Sequence, residues 1–170
     1  RIAVPWRHRW DSLRLVTPAA FDGLAGMKFP APPFYFPTKD EMADYLEAYA
    51  RRLNLPVRTG VRVQRLFKRG TRYVVAAEGV EFEAAQVIVA MAKYQQPKIP
   101  AFAAALACDI TQLHPLDYRN PGQLQPGSVL LVGDGNSGAD IALELPRTGR
   151  QTWLAGGDVG EVPFRPDGFW

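Results

Sequence analysis

The sequence predicts an α/β protein, and three stretches carry that prediction. Residues 129–145, VLLVGDGNSGADIALEL, run from an apolar strand into a glycine-spaced turn and then an amphipathic helical pattern. Residues 39–53, KDEMADYLEAYARRL, repeat Met42, Tyr45, Leu46 and Tyr49 at helical spacing. Residues 57–91 alternate apolar and polar side chains between glycines, as short strands joined by turns do.

Composition narrows the class. A chain of 170 residues suits one domain or one and a half, and can bury a real core. Its 47% hydrophobic and 22% charged residues are those of an ordinary globular protein. The net charge of +3 comes from arginines scattered along the chain, so no nucleic-acid partner is expected. The single Cys108 excludes an internal disulfide and permits a reducing compartment, so a cytoplasmic location is expected. No apolar run reaches spanning length, so no membrane partner is expected. Nothing in the residues fixes an oligomeric state. The first residue is Arg1 rather than methionine, which reads as a fragment or a processed chain.

Residues 1–38 are rich in proline, tryptophan and arginine and should form a long irregular segment packed on something, because proline fixes φ and removes a donor. Residues 39–53 should be helix, with acids near the start and Arg51 and Arg52 near the end, as the helix dipole favours. Strands should follow over residues 57–91, turning at Arg69-Gly70 and Glu78-Gly79. Gln86–Ala90 is almost wholly apolar and predicts a strand buried on both faces. Residues 93–126 are punctuated by proline and read as a connection. A strand over 128–132, a helix over 136–145 and a second strand ending near Leu154 complete the chain.

The glycines at 133, 135 and 138 have the spacing G-x-G-x-x-G in the right setting, after a strand and opening a helix. The first allows a tight turn, the second lets the backbone approach a pyrophosphate, and the third lets helix and strand pack closely. The anion would sit on free N–H groups at the helix start, where the dipole also favours it. Two acids bear on this site. Asp134 lies inside the turn: facing outward it costs little, facing the phosphates it repels them. Asp158 follows the second strand, where an acid would bond a ribose 2′-hydroxyl, or is a plain loop aspartate.

The stretches PWRHRWDSLRLVTP, FDGLAGMKFPAPPFYFPTKDEMADYLEAYA, LPVRTGVRV, QLHPLDYRNP and VLLVGDGNSGADIALEL together resemble the bacterial flavin-containing monooxygenase family over nearly the whole chain. The resemblance implies a two-dinucleotide-binding-domain flavoprotein fold, Rossmann-like and three-layered, with a small β insertion. Residues 1–100 would be part of an FAD domain, 101–126 an interdomain connection, and 127–170 the first part of an NAD(P) domain. It implies FAD and NADP as cofactors, with NAD possible, and O2 and a small organic molecule as substrates of a monooxygenase.

Residue by residue, Trp6, Arg7 and Trp10 match the segment near the flavin. Thr38 and Lys39 match the polar pair facing flavin and nicotinamide, with Lys39 the candidate catalytic residue: a cation that stabilises negative charge on the flavin, or else a surface lysine. Val61 matches the strand that meets the FAD adenine. His114 and Tyr118 match the H-x-x-x-Y end of a fingerprint between the two domains. Gly133, Gly135, Asn136, Ser137 and Gly138 match the NADP pyrophosphate turn.

The sequence departs from the family in four places. The FAD glycine motif would lie before Arg1. Ala90-Met91-Ala92-Lys93 stands where the family carries a glycine-bearing turn near flavin, so Ala92 occupies a position at which glycine permits φ > 0. Gly157 stands where an arginine often takes the 2′-phosphate, so the nicotinamide cofactor is left between NADP and NAD. Cys108 and Ile110 replace an aromatic and a glycine of the fingerprint. Two further readings stay open: a flavin-dependent reductase of another type, and a non-catalytic dinucleotide-binding fragment.

Overall fold

The structure, a computed structural model, describes residues 1–92 and 96–157. The chain divides into two compact units: Arg1–Arg7 with Leu15–Pro100, and His8–Arg14 with the chain from Ala101 onward.

The first unit is organised by a helix. A single turn, α1 (Val4–Arg7), precedes α2 (Lys39–Arg52). Thr38 caps α2: its hydroxyl accepts from the Glu41 N–H at 3.2 Å, while the Glu41 carboxylate accepts from the Thr38 N–H at 2.7 Å. This reciprocal box satisfies two donors that the first turn would leave open, and such a cap contributes about 1 kcal/mol. The face predicted to turn inward does so. Tyr45 is buried with Ala19 and Phe29, and Met42, Leu46 and Tyr49 pack against them.

The irregular segment before α2 is packed on that helix. The Tyr45 hydroxyl accepts from Leu24 N–H at 2.6 Å and donates to the Met27 carbonyl at 2.7 Å, and the Phe29 ring lies 4.9 Å from its ring. Tyr49 donates to the Ala25 carbonyl at 2.9 Å. The tyrosines therefore give the proline-rich loop both its apolar floor and partners for its backbone polar groups, which a buried loop must find.

Three antiparallel strands follow in the order β1 (Val63–Arg69), β2 (Arg72–Ala77) and β3 (Val80–Ala84). Arg69 pairs with Arg72, and Ala77 with Val80, so both hairpins close through two-residue turns containing Gly70 and Gly79. Gln86–Ala90 is not the strand predicted: β3 ends at Ala84, and Ile88 is 92% exposed. An apolar run becomes a strand only when a neighbour supplies its ladder, and none of the described strands pairs with it.

In the second unit, β4 (Val129–Val132) and β5 (Thr152–Ala155) pair in parallel, with α3 (Asn136–Glu144) between them in sequence. Ile141 and Leu145 are buried, and α3 contacts both strands. Pro146 lacks an N–H, so the helix tightens into a 3-10 turn over Leu145–Thr148 and stops at Gly149 in the left-handed region. Arg150 fastens the approach to β4 by donating to the carbonyls of Leu124 at 3.0 Å and Gln125 at 2.6 Å. The segment His8–Arg14 docks here through Asp11, whose N–H donates to the Arg119 carbonyl at 2.7 Å and whose carboxylate accepts from Asn120 at 2.8 Å. No helix among the described residues is long and apolar enough to cross a membrane.

Candidate functional site

The glycine turn lies at the C-terminal ends of two neighbouring parallel strands, where open α/β sheets bind ligands. Gly133 has φ +106°, which only glycine adopts easily, and its N–H donates to the Ala155 carbonyl at 2.7 Å. That bond ties the turn to the end of β5. Gly135 is the N-cap of α3 and brings no side chain to cap it. The first intrahelical bond runs from Ala139 N–H to the Gly135 carbonyl at 3.0 Å, so the N–H groups of Asn136, Ser137 and Gly138 precede the helical ladder.

The glycines differ in what surrounds them. A Cβ built on Gly135 meets nothing within 4 Å. A Cβ on Gly138 would overlap the Gly133 carbonyl oxygen and lie 3.6 Å from Leu154 Cδ1. Gly138 is thus required for the turn to fold against the helix, whereas Gly135 leaves its outer side open. Open approach, uncapped N–H groups and a helix start form a cradle that a dinucleotide pyrophosphate fits.

Asp134 is turned across the strand ends. A Cβ built on Gly156 would lie 2.5 Å from each Asp134 carboxylate oxygen, so the carboxylate occupies the space that any side chain at 156 would need. One turn into α3, burial pushes the Asp140 carboxyl above its ordinary range. Asp158 lies outside the described residues.

The connection ahead of β4 reaches α3. The carbonyl of His114 accepts from the N–H groups of Asp117 at 2.8 Å and Tyr118 at 3.1 Å, and its Nδ1 accepts from Leu116 N–H at 3.1 Å. The H-x-x-x-Y spacing is therefore one tight turn. It delivers the buried Tyr118 hydroxyl to the Glu144 carboxylate at 2.5 Å, at the last residue of α3. Burial first, then the bond to Glu144 and its charge, push the Tyr118 phenol far above its usual range.

The remaining sequence candidates lie mostly in the first unit. Trp6 and Arg7 end α1, half-buried. The Arg7 guanidinium pairs with Asp44 at 2.6 Å and Glu47 at 3.3 Å, while its Nε is buried without a hydrogen-bond partner. Lys39 is 7% exposed, so it is not a surface lysine; its Nζ donates to the Arg7 carbonyl at 3.3 Å and to Asp40 at 3.0 Å. Thr38 is occupied by its cap. Lys39 at the head of α2 thus meets the Arg7 carbonyl, while the Arg7 guanidinium reaches further along the helix to Asp44 and Glu47. Trp10 is buried within the segment that belongs to the second unit. Val61 is exposed and precedes β1 rather than lying in a strand. Ala92 has φ +58°, so the backbone there keeps the left-handed form a glycine would adopt freely.

Two residues escaped the sequence reading. Glu144 is the partner of Tyr118, 26 residues away, and an acid at the end of a helix gives no local sign of that. Gly156 receives Asp134. Its signal was available: in parallel register the residue after β5 lies beside the turn after β4, and a glycine there leaves room for a neighbour's side chain.

Comparison with known proteins agrees with this geometry. The family described as pyridine nucleotide-disulphide oxidoreductase matches residues 27–159. A CzcO-like oxidoreductase of Geobacillus kaustophilus is 45% identical over 157 residues, 92% of this chain and 45% of that protein. The rice indole-3-pyruvate monooxygenase YUCCA1 is 31% identical over 155 residues, 87% of this chain and 37% of its own length. A flavin-containing monooxygenase from Stenotrophomonas maltophilia superposes with a TM-score of 0.80 at 33% identity, over 88% of this chain and 46% of that one. The chain therefore spans about half, or less, of the length of these relatives. It belongs to the pyridine nucleotide-disulphide oxidoreductase family, with that family's Rossmann-like dinucleotide-binding fold, and is related to the CzcO-like oxidoreductases and flavin monooxygenases.

Proposed function

We propose that this chain carries the nicotinamide-dinucleotide site of an FAD- and NAD(P)H-dependent monooxygenase that inserts one oxygen atom of O2 into a small organic substrate. The observation that carries the reading is the turn at 133–138, with Gly138 closed against the Gly133 carbonyl and Gly135 open outward. The uncapped N–H groups of Asn136, Ser137 and Gly138 would hold the pyrophosphate, and Tyr118 on Glu144 would hold the helix that presents them. When bound, FAD supplies the redox chemistry and the nicotinamide supplies hydride. The chain's own part is to bind, orient and exclude water.

Arg7 and Lys39 enter this reading as positioning residues. The Lys39 ammonium is held by the Arg7 carbonyl and Asp40, and Arg7 is held by Asp44 and Glu47, so the pair fixes α1 along the first half of α2. Trp6 and Thr38 adjoin Arg7 and Lys39 in sequence, and we place these four residues on the flavin side of the protein.

The family's name favours a second reading, a disulfide reductase. Thiol–disulfide exchange needs an attacking thiolate, and the cysteine of this chain, the exposed Cys108, lies in the connection ahead of β4 rather than in the glycine turn. The rice and Stenotrophomonas relatives, both named as monooxygenases, support the first reading instead. The test is purification of the full-length protein followed by its visible spectrum and its turnover with NAD(P)H. The reading predicts bound flavin, O2 consumed with NAD(P)H, and an oxygenated product from a sulfide or ketone probe. Disulfide reduction without O2 uptake would establish the reductase, and a colourless protein that turns over neither would remove both.

A further inference from the structure

We infer that Asp134 sets the cofactor preference of this site, favouring a dinucleotide with a free ribose 2′-hydroxyl (NAD) over one with a 2′-phosphate (NADP). The inference rests on the dinucleotide reading above and deepens it.

In a strand–turn–helix–strand unit of this kind, the pyrophosphate lies on the helix start and the adenosine ribose reaches the end of the second strand. An acid there accepts from the 2′-hydroxyl, and a guanidinium there takes a 2′-phosphate. The second strand here is β5, which ends at Ala155 and continues into Gly156 and Gly157, so neither following residue brings a side chain. The acid arrives from the other strand. Val132 pairs with Ala155, and the Gly133 N–H to Ala155 carbonyl bond holds the turn in that register. Asp134, the next residue, lays its carboxylate over Gly156, in the volume a Cβ at 156 would fill. Gly156 is therefore the receptor for that side chain, and the pair places one negative charge at the ribose end of the cradle.

Among the described residues, the arginines near β5 lie on the approach to it; Arg165, further on in sequence, lies outside the described residues. Arg150 precedes the strand and is occupied by the carbonyls of Leu124 and Gln125. Arg147 sits in the 3-10 turn that ends α3. A 2′-phosphate would thus meet the Asp134 carboxylate, and like charges at contact distance repel. A 2′-hydroxyl would donate to it.

The test is direct binding of NAD⁺ and NADP⁺ to the oxidised full-length protein, followed by titration calorimetry. Neither ligand can reduce the flavin, so the readout does not depend on turnover. The inference predicts NAD⁺ tighter by about tenfold or more, with the ratio shrinking as salt rises. Asp134→Asn keeps the shape and removes the charge; it should tighten NADP⁺ and weaken NAD⁺ until the ratio approaches one. Asp134→Ser, which also shortens the side chain, should do the same and guards against a variant that fails to fold. Equal or NADP⁺-favouring affinities in the wild-type protein, or a ratio unchanged in both variants, would overturn the inference while leaving the dinucleotide site standing. Failure of both ligands to bind the folded wild-type protein would overturn the underlying reading and the inference with it.

Discussion

Gly138 offers the sharpest perturbation of the candidate site. Gly138→Ala adds one methyl group, and that methyl would overlap the Gly133 carbonyl oxygen, with the carbonyl carbon 3.0 Å away. The obstacle is backbone rather than the far end of a flexible side chain, and the Gly133 N–H to Ala155 carbonyl bond ties that residue to β5, so relief requires the turn or the helix to shift. Forced overpacking of this kind costs about 1–3 kcal/mol. If the cradle is what binds dinucleotide, the same displacement weakens binding by about 5- to 150-fold. Gly135→Ala is the matched contrast. Its φ of −66° suits any residue, and its Cβ meets nothing within 4 Å. It should leave stability within about 0.5 kcal/mol while still weakening the dinucleotide, because on the proposed function the pyrophosphate would approach through that open space. Urea unfolding and NAD⁺ or NADP⁺ titration on both variants decide the matter. A Gly138→Ala protein of wild-type stability, or a Gly135→Ala protein of wild-type affinity, would refute the reasoning.

Other perturbations follow from the same contacts. Tyr118→Phe removes a bond to a carboxylate and should cost about 1.5–3 kcal/mol in urea unfolding. Because the fold raises the Tyr118 phenol, its contribution is fully present below the unfolded value of about 10 and is lost as pH rises toward the folded one; the variant should lose that alkaline decline relative to wild type. The Arg1 bond first, and Arg7 after it, hold the Glu47 carboxyl below its usual range, so its contribution is present above about pH 4.3 and lost as pH falls through the depressed value. Glu47→Gln should flatten that acid limb in thermal melts, and an unchanged limb would count against the cluster. Ala92→Gly relieves a φ of +58° and should be neutral or stabilising by up to about 1 kcal/mol, offset in part by the freer unfolded chain; a clear loss of stability would show that the Ala92 methyl makes contacts of its own.

Much of this architecture is legible in the sequence because it is local. Thr38 and Glu41 lie three residues apart and cap one helix, so the start of α2 is written in adjacent positions. The hairpins at Gly70 and Gly79 and the glycine turn are likewise decided within a few residues. What the sequence hides depends on distant partners. Gln86–Ala90 has the composition of a buried strand, but strand formation needs a neighbour that the run cannot specify. Lys39 looks like an exposed helix-start lysine, and its bond to the Arg7 carbonyl, 32 residues earlier, has no local sign in the sequence. The direction of Asp134 is set by the vacancy at Gly156, visible only once β4 and β5 are in register. Tyr118 reads as half of a motif, and its partner Glu144 belongs to a helix read for its apolar face.

The central claim is that the head of α3 holds a nicotinamide dinucleotide. Amide hydrogen exchange on the full-length protein, with and without saturating NAD⁺, tests it most directly. Binding there predicts new protection concentrated at Gly135–Gly138, whose N–H groups precede the first helical bond of α3. Saturation of the protein with no change at those amides would contradict it.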